Sequence, residues 1–326
     1  MKLRTLFWGS DEISVPFLRV LYNLNSVEIL KVITQPAKPK GRGLKLCTTP
    51  VYEEAEKYGL DLVCPENIKD KTFVEYIKNL YAQVSIVVSY GKIFPVEIIS
   101  SHQIGMLNIH FSILPKYRGA APIQWALING DASTGVSLFW INERLDEGEI
   151  FLQKEVPIEI CDDYFTLSKK LVEKGCEMLI SGIEKIINGE VVKLKQTGVS
   201  STAPVIKKTL GTIDWNKTNV QIHNLVRALI HWPKAETKIE LCGKILSLKI
   251  LKTRIVCGED KVLPQIGTIV GIDKEKVTVV CGGKTLLDIF SYACLLKARS
   301  PQCESEISPP KNNLNIPESI GLPIYL

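Results

Sequence analysis

The stretch over residues 3–34, LRTLFWGSDEISVPFLRVLYNLNSVEILKVIT, decides the fold. It begins with an apolar run that ends at Gly9, continues over residues 15–24 with apolar positions at helical spacing, and closes with a second apolar run. Strand, helix and strand in this order predict a βαβ unit, in which parallel strands are covered by helices on both faces. A dinucleotide site would need GxGxxG after the first strand. Only Gly9 is present, so we predict no nucleotide cofactor.

The same alternation continues to about residue 189. Predicted helices over residues 51–58 and 68–80 alternate with the strand-like runs DLVC and VSIVVS, and a long helix over residues 165–188 ends before Gly189. We therefore predict an α/β, Rossmann-like catalytic domain with a mostly parallel sheet over residues 1–189, followed by a linker over residues 190–207. Short strands separated by turns then predict a smaller antiparallel β-barrel domain over residues 208–326.

Composition excludes several classes of protein. The chain is 45% hydrophobic, yet no apolar run reaches the ~18 residues of a membrane helix, so we expect no membrane association. Acidic residues directly follow the short apolar run at the start, unlike a signal peptide. The nine cysteines include no CxxC pair, which indicates reduced thiols in the cytoplasm and no structural metal. We expect a monomer.

The central stretch over residues 105–148, GMLNIHFSILPKYRGAAPIQWALINGDASTGVSLFWINERLDEG, carries the candidate chemistry. Asn108 and His110 are two apart in an apolar run, so a strand would direct both side chains to one face. Asp146 follows the next strand-like run. An amide, an imidazole and a carboxylate together can polarise a carbonyl and move a proton, and the carboxylate would favour the charged imidazole. A buried hydrogen-bonded pair without catalysis is the commoner explanation of Asn-x-His, and the trio alone leaves both open.

Two further stretches have a functional and a plain explanation. SYGKIFP, residues 89–95, follows a buried strand at the edge where ligands bind in open α/β sheets, although it could be only a turn. The basic segment, residues 35–49 (QPAKPKGRGLKLCTT), has no acidic residue. We predict a loop in which Lys38, Lys40, Arg42 and Lys45 contact nucleic-acid phosphates, the alternative being a solvated connection. From Leu210 onward, 15 Lys plus Arg stand against 11 Asp plus Glu, a small basic excess that also suits a polyanion.

The stretch NIHFSILPKYRGAAPIQWALINGDASTGVSLFWINERLDEGEI closely resembles the formyltransferases that use 10-formyltetrahydrofolate. This resemblance implies that Asn108, His110 and Asp146 are the catalytic residues. It also implies a folate co-substrate whose pterin ring lies in a mostly apolar cleft. The sequence departs from the family pattern at Ala37, at Phe111 and in LDEGE. The cleft residues that we predict are Ser89, Tyr90, Gly91, Ile93, Phe94, Pro95, Ser112, Leu114 and Pro115.

Four stretches are most similar to the branch of this family that formylates initiator methionyl-tRNA for translation initiation. They are LFWGSDEISVPFL, TQPAKPKGRGLKL, RGAAPIQ and IDWNKTNVQIHNLVRALIHWPKAET. The resemblance implies that Lys38, Lys40, Arg42 and Lys45 contact the tRNA and that the C-terminal barrel is OB-like. Our hypothesis is direct formyl transfer to the methionyl amine, with Asn108 and His110 donating hydrogen bonds to the developing oxyanion and Asp146 orienting and charging His110.

Three alternatives remain open. A related enzyme could formylate an amino-sugar nucleotide or hydrolyse formylfolate, and a non-enzymatic RNA-binding protein could retain an inert formyltransferase domain. The basic segment and the barrel argue against the first two alternatives. The intact trio argues against the third.

Overall fold

The computed structural model describes residues 2–40, 45–241, 244–256, 263–273, 275–295 and 324–325. The chain divides into two compact units. The first comprises Met1–Ile123, Ala132–Glu159 and Thr166–Val205, and the second comprises Gln124–Asp131, Ile160–Phe165 and Ile206–Leu326. Residues 190–205, which we predicted to be part of a linker, group with the first unit. The exact domain boundaries stay a prediction.

The first unit contains a seven-stranded sheet and a two-stranded ribbon. The strands, in chain order, are β1 (Leu3–Gly9), β2 (Val27–Ile33), β3 (Lys38–Lys40), β4 (Lys45–Cys47), β5 (Leu62–Val63), β6 (Val84–Val88), β7 (Gly105–His110), β8 (Ser133–Trp140) and β9 (Ile150–Pro157). The helices up to residue 187 are α1 (Val15–Asn23), α2 (Pro50–Lys57), α3 (Lys71–Lys78), α4 (Val96–Ile99), α5 (Pro122–Asn129) and α6 (Tyr164–Ile187).

The large sheet confirms the predicted α/β class. Its strand order is β5-β2-β1-β6-β7-β8-β9, with parallel pairing from β5 to β7 and antiparallel pairing of β8 with both neighbours. Every residue of β6 is buried, as expected for a central strand with both faces covered. β7 is therefore the strand at which parallel pairing gives way to antiparallel pairing.

Local sequence signals explain where the helices begin. The side chain of Thr49 accepts a hydrogen bond from the backbone N–H of Tyr52 at the start of α2, and Pro50 occupies the first turn. The side chain of Asp70 accepts hydrogen bonds from two backbone N–H groups at the start of α3. Such N-caps satisfy donors that a helix cannot pair internally. They fix the ends of the helices that cover the sheet.

The basic segment is more ordered than we predicted. β3 and β4 pair in antiparallel fashion, with Lys38 opposite Cys47, so the prediction of a loop was wrong for the described part. Backbone hydrogen bonds hold the two strands together. The side chains of the segment therefore need no apolar periodicity, and their pattern does not reveal a strand. Arg42 lies outside the described residues.

The second unit contains residues 124–129 of α5, a further helix and an antiparallel sheet. The further helix and the strands are α7 (Asn219–Leu229), β10 (Ala235–Leu241), β11 (Lys244–Val256), β12 (Ile269–Ile272), β13 (Val277–Cys281), β14 (Thr285–Leu295) and β15 (Ile324–Tyr325). The strand order is β12-β13-β14-β11-β10-β15. This arrangement confirms a separate antiparallel C-terminal domain, whereas closure of the sheet into an OB-like barrel stays a prediction. Trp215 and Ile222 are almost fully buried in its core, together with Ile250 and Val279.

Within the described ranges, no helix is both long enough and apolar enough to cross a bilayer.

Candidate active site

A cavity of about 450 Å³ lies where the carboxyl ends of β6 and β7 meet the loop between β8 and β9. Asn108, His110 and Asp146 all line it. Its size falls within the range of small-molecule sites, and ligands of open α/β sheets bind at this edge of the sheet. The structure thus brings the predicted trio together in one cavity.

Five of the predicted cleft residues also line the cavity, namely Ser89, Tyr90, Gly91, Ile93 and Phe94. Pro95, Ser112, Leu114 and Pro115 do not line it, and each has another role in the fold. Pro95 precedes the first residue of α4, and its carbonyl accepts hydrogen bonds from that helix. The hydroxyl of Ser112 donates to the carbonyl of Lys116 at 2.6 Å. Leu114 packs against core residues, and the carbonyl of Pro115 accepts from the N–H of Ser201.

The orientation of the His110 ring is set by a backbone carbonyl. The Nε2 atom of His110 lies 2.9 Å from the carbonyl oxygen of Tyr117. Because a carbonyl can only accept, Nε2 must carry the hydrogen. In the neutral ring, Nδ1 is then the nitrogen with a free lone pair. It lies 3.8 Å from Oδ2 of Asp146, which is within electrostatic range but too far for a hydrogen bond.

Burial lowers the pKa of His110, while the Asp146 carboxylate and the hydrogen bond to Tyr117 oppose this shift without reversing it. We predicted that the Asp146 carboxylate favours the protonated ring. Its contribution to the pKa of His110 has this direction. Loss of hydration, however, is the larger effect for this buried imidazole. His110 is therefore neutral near pH 7, with Nδ1 able to accept a proton.

Asn108 is placed by β7, where its backbone stands opposite Val87 of β6 and Phe139 of β8. Its side chain is half-buried and lines the cavity. Throughout the described ranges, no hydrogen bond to its amide is found. The amide N–H groups are therefore available to an oxygen that enters the cavity, as a carbonyl-polarising role requires.

Asp146 belongs to the loop between β8 and β9, which we call the aspartate loop (residues 141–149). Its backbone adopts a φ of 52°, a conformation uncommon for non-glycine residues. Its Oδ2 atom accepts a hydrogen bond from the backbone N–H of Gly119 at 2.7 Å. Gly119 has a φ of 126°, and a Cβ there would lie 2.6 Å from the carbonyl oxygen of Ala203. Only glycine fits this position, so RGAAP supplies a backbone donor for the carboxylate.

Another side of the cavity is the aromatic wall, formed by Tyr90 and Phe94 packed on Trp8. The ring centroid of Trp8 lies 5.2 Å from that of Tyr90 and 5.0 Å from that of Phe94, both in edge-to-face geometry. All three side chains are buried in one cluster of the core. Such packing gives a firm apolar surface for a flat ring.

A hydrogen-bonded chain behind this wall was not predicted. Nε1 of Trp8 donates to the hydroxyl of Ser85, and that hydroxyl lies 2.6 Å from Nε2 of His102. Nδ1 of His102 lies 3.0 Å from the carbonyl oxygen of Ile98. A histidine near the end of a helix is commonly solvated, but the His102 ring is buried between these two partners. A lone His near a helix end carries no signal that distinguishes these cases.

No group of three or more His, Cys, Asp or Glu side chains suited to a metal ion occurs within the parts of the chain that the structure describes.

Known proteins similar to this chain share both of its halves. The profile of the family described as formyl transferase matches residues 14–183, and that of the formyl transferase C-terminal domain matches residues 205–290. A methionyl-tRNA formyltransferase from Thermodesulfovibrio yellowstonii is 45% identical over 253 residues, which cover 78% of this chain and 80% of the relative. One from Sulfurihydrogenibium sp. is 41% identical and covers 89% of this chain and 92% of the relative.

The solved structures that resemble this chain are more distant in sequence. An N-formyltransferase from Helicobacter canadensis, solved with folinic acid and dTDP-3-aminofucose, aligns with a TM-score of 0.63 at 20% identity. The alignment covers 88% of this chain and 99% of the other. At that identity the likeness establishes the fold alone, and the close sequence relatives establish the group. The chain belongs to the formyltransferase family, among the methionyl-tRNA formyltransferases.

Proposed function

We propose that this chain transfers the formyl group of 10-formyltetrahydrofolate to the amino group of methionine on initiator tRNA, for translation initiation. The observation that carries this proposal is that Asn108, His110 and Asp146 meet in one cavity, in a chain whose relatives at 45% and 41% identity are methionyl-tRNA formyltransferases.

The shape and lining of the cavity support a folate as the formyl donor. The aromatic wall offers a flat apolar surface beside backbone polar groups of residues 89–91, which suits a pterin ring. The structural neighbour from Helicobacter canadensis was solved with folinic acid, itself a formylated folate. We infer that the pterin packs near Tyr90 and Phe94 and directs its formyl group toward Asn108. The 10-formyl form of the donor is part of the proposal.

The catalytic residues divide the chemical work between charge stabilisation and proton transfer. The amide of Asn108 donates a hydrogen bond to the formyl oxygen as negative charge develops there. Nδ1 of His110 accepts the proton that the attacking amine must lose, and the Asp146 carboxylate stabilises the resulting imidazolium. The amine nitrogen thereby gains the formyl carbon, N10 loses it, and one proton passes from the amine to N10. In this scheme His110 acts first as a base, whereas the hypothesis from sequence made it a hydrogen-bond donor.

The basic segment supports tRNA as the acceptor substrate. The side chain of Gln35 at its start donates a 2.6 Å hydrogen bond to the carbonyl of Tyr90, and Nζ of Lys38 donates to Gln35. The segment is thus joined to the wall of the cavity. We propose that Lys38, Lys40, Arg42 and Lys45 contact the phosphates of the acceptor arm near the reacting amine. We further propose that the chain acts in the cytoplasm as a monomer.

A formylation assay with three acceptors would test the proposal. The purified chain would receive 10-formyltetrahydrofolate and initiator tRNA charged with methionine, elongator tRNA charged with methionine, or a dTDP-linked amino sugar. We expect kcat/KM for the initiator to exceed that for the elongator by about 100-fold, a discrimination typical of binding contacts without editing. Comparable rates on the two tRNAs, or preference for the sugar, would contradict it. Folate release without any acceptor would indicate a hydrolase.

A further inference from the structure

Asp146 is carried by a loop with few internal supports. Residues 142–145 are exposed, and the backbone N–H of Arg144 donates to the side chain of Asn142 at the tip. The carboxylate itself must stay near Nδ1 of His110, since the attraction between them falls with distance. Because the loop lacks a hydrophobic anchor at its tip, the position of Asp146 has to be fixed from outside the loop.

The side chain of Gln196 supplies that support. Its Nε2 donates two hydrogen bonds, one to the backbone carbonyl of Asp146 and one to that of Gly148, each at 2.8 Å. Its Oε1 accepts from the guanidinium of Arg118, at 2.8 Å from Nη2 and 3.2 Å from Nε. Both donors and the acceptor of this amide are therefore used. Gln196 joins the aspartate loop to the turn that presents the N–H of Gly119 to Asp146.

Arg118 forms a second link between the RGAAP turn and the aspartate loop. Its Nη1 donates to Oε1 of Glu147 at 2.9 Å, next to Asp146 in the loop. An arginine in such a turn can bind an anion or pair with an acidic side chain. In the structure its guanidinium is bound to Glu147 and Gln196. The arginine therefore serves the loop, and both ends of the connection depend on the position of Gln196.

The chain around Gln196 is fixed by backbone hydrogen bonds. Leu194 exchanges two of them with Ile150, at 2.7 and 2.9 Å. On the other side of Gln196, Arg118 donates to Ser201, and Ala203 donates back to Arg118. The backbone on both sides of Gln196 is thus fixed, on one side to β9 and on the other to the RGAAP turn. Because its backbone is fixed, the Gln196 side chain can hold the aspartate loop in one position through its hydrogen bonds.

We propose that Gln196 is a positioning residue for formyl transfer, holding the backbone of Asp146 so that its carboxylate stays aligned with His110 and Gly119. This role rests on the proposed function, because it concerns the turnover of that reaction. Gln196 lies behind the loop and is not among the residues that line the cavity. Its loss is therefore expected to lower kcat and to leave KM for both substrates almost unchanged.

The test uses Gln196→Met, which keeps the length of the side chain and removes all of its hydrogen bonds. Gln153→Met is the matched control, since Nε2 of Gln153 also donates two hydrogen bonds, to the Leu114 carbonyl and the Ser137 hydroxyl, away from the aspartate loop. We expect Gln196→Met to lower kcat by about 10- to 100-fold, the usual effect of a small misplacement of a catalytic group. KM should stay within about twofold, and the control should retain the parent kcat.

A second readout does not depend on activity. The amide hydrogen of Gly119 is bonded to Asp146, so its exchange with solvent should accelerate in Gln196→Met and remain unchanged in Gln153→Met. Unchanged exchange at Gly119, or a kcat within twofold of the parent, would overturn the proposal. So would an equal loss of kcat in the control, because that would indicate a general structural effect. If the parent chain were inactive in formyl transfer while exchange at Gly119 still differed between parent and Gln196→Met, the proposed function would be refuted, and only the structural link from Gln196 to the Asp146 carboxylate would be supported.

Discussion

The aromatic wall and the aspartate loop line the same cavity, but different forces hold them. Tyr90 and Phe94 are packed on Trp8 inside the core of the first unit. Asp146 stands in a largely exposed loop that is bound to Gly119 and Gln196 through hydrogen bonds. Packing is the sum of many weak and poorly directional contacts, whereas a hydrogen bond depends strongly on distance and angle.

This difference suggests that the two parts of the cavity have different roles. A packed wall presents a surface of fixed shape, which is what binding a flat ring requires. A hydrogen-bonded loop places one carboxylate to within a fraction of an ångström, which is what proton transfer requires. Substitutions in the aromatic wall should therefore change binding and stability, while substitutions in the aspartate loop should mainly change turnover. Three predictions test this separation.

The largest effect is expected from Asp146→Ala. The change removes the charge that stabilises a protonated His110 and leaves the N–H of Gly119 without its acceptor. We expect kcat to fall by about 1,000-fold, within the range for loss of acid–base assistance. The free energy of unfolding should fall by only about 1–2 kcal/mol, the cost of one unpaired N–H. Single-turnover formylation and thermal melting would measure the two quantities. A kcat within tenfold of the parent would remove Asp146 from the mechanism.

Phe94→Ala should mainly lower stability and folate affinity, with little change in kcat. The ring of Phe94 is 8% exposed and packs on both Trp8 and Tyr90, so its removal leaves a gap in the wall. We expect the free energy of unfolding to fall by about 3 kcal/mol and KM for the folate to rise by about tenfold, equivalent to about 1.4 kcal/mol of binding. At saturating folate, kcat should stay within about threefold of the parent. Steady-state kinetics with varied folate would measure both constants.

The control for Phe94→Ala is Phe165→Ala, since the ring of Phe165 is 52% exposed and its loss creates no buried gap. This variant should keep both the folate KM and the melting temperature of the parent. If Phe94→Ala lowered kcat as strongly as Asp146→Ala while KM stayed constant, packing and hydrogen bonding would not divide the work as inferred.

The packed region could be predicted from the sequence better than the hydrogen-bonded loop. The strands and helices behind the aromatic wall were predicted because apolar residues recur at strand and helix spacing, as in the fully buried β6. Asn108 and His110 were placed on one face by the alternation of β7. These features are local, and a pattern of side chains is enough to reveal them. The grouping of Asn108 with Asp146 needed the resemblance to the family in addition.

The supports of the aspartate loop could not be predicted in this way. Gln196 lies 50 positions from Asp146, in a polar stretch that we interpreted as linker because it lacks bulky apolar residues. What holds that stretch is mostly backbone hydrogen bonding to Ile150 and Arg118, and backbone atoms are the same in every sequence. The tautomer of His110 has the same origin, since the carbonyl of Tyr117 decides it. The ordered ribbon within the basic segment was missed for the same reason.

The smallest effect concerns the one titratable group in the hydrogen-bonded chain behind the aromatic wall. Burial lowers the pKa of His102, against smaller opposing contributions from backbone hydrogen bonds. The unfolded chain therefore takes up a proton at His102 at a higher pH than the folded chain does. Stability from this group is fully present above the unfolded pKa of about 6.5 and is lost as the pH falls through the folded pKa. Protonation would also remove the acceptor at Nε2 that the hydroxyl of Ser85 uses.

His102→Gln tests this linkage, because glutamine cannot titrate. The variant should be less stable than the parent at pH 7.5, yet it should lose less melting temperature between pH 7.5 and pH 5.5. His110 and His223, whose pKa values burial also lowers, are present in both proteins and cancel in the comparison. Parallel melting curves against pH would show that His102 does not titrate differently on folding. If the difference appears, acid should weaken folate binding in the parent more than in His102→Gln, since the chain Trp8–Ser85–His102 fixes the ring on which Tyr90 and Phe94 pack.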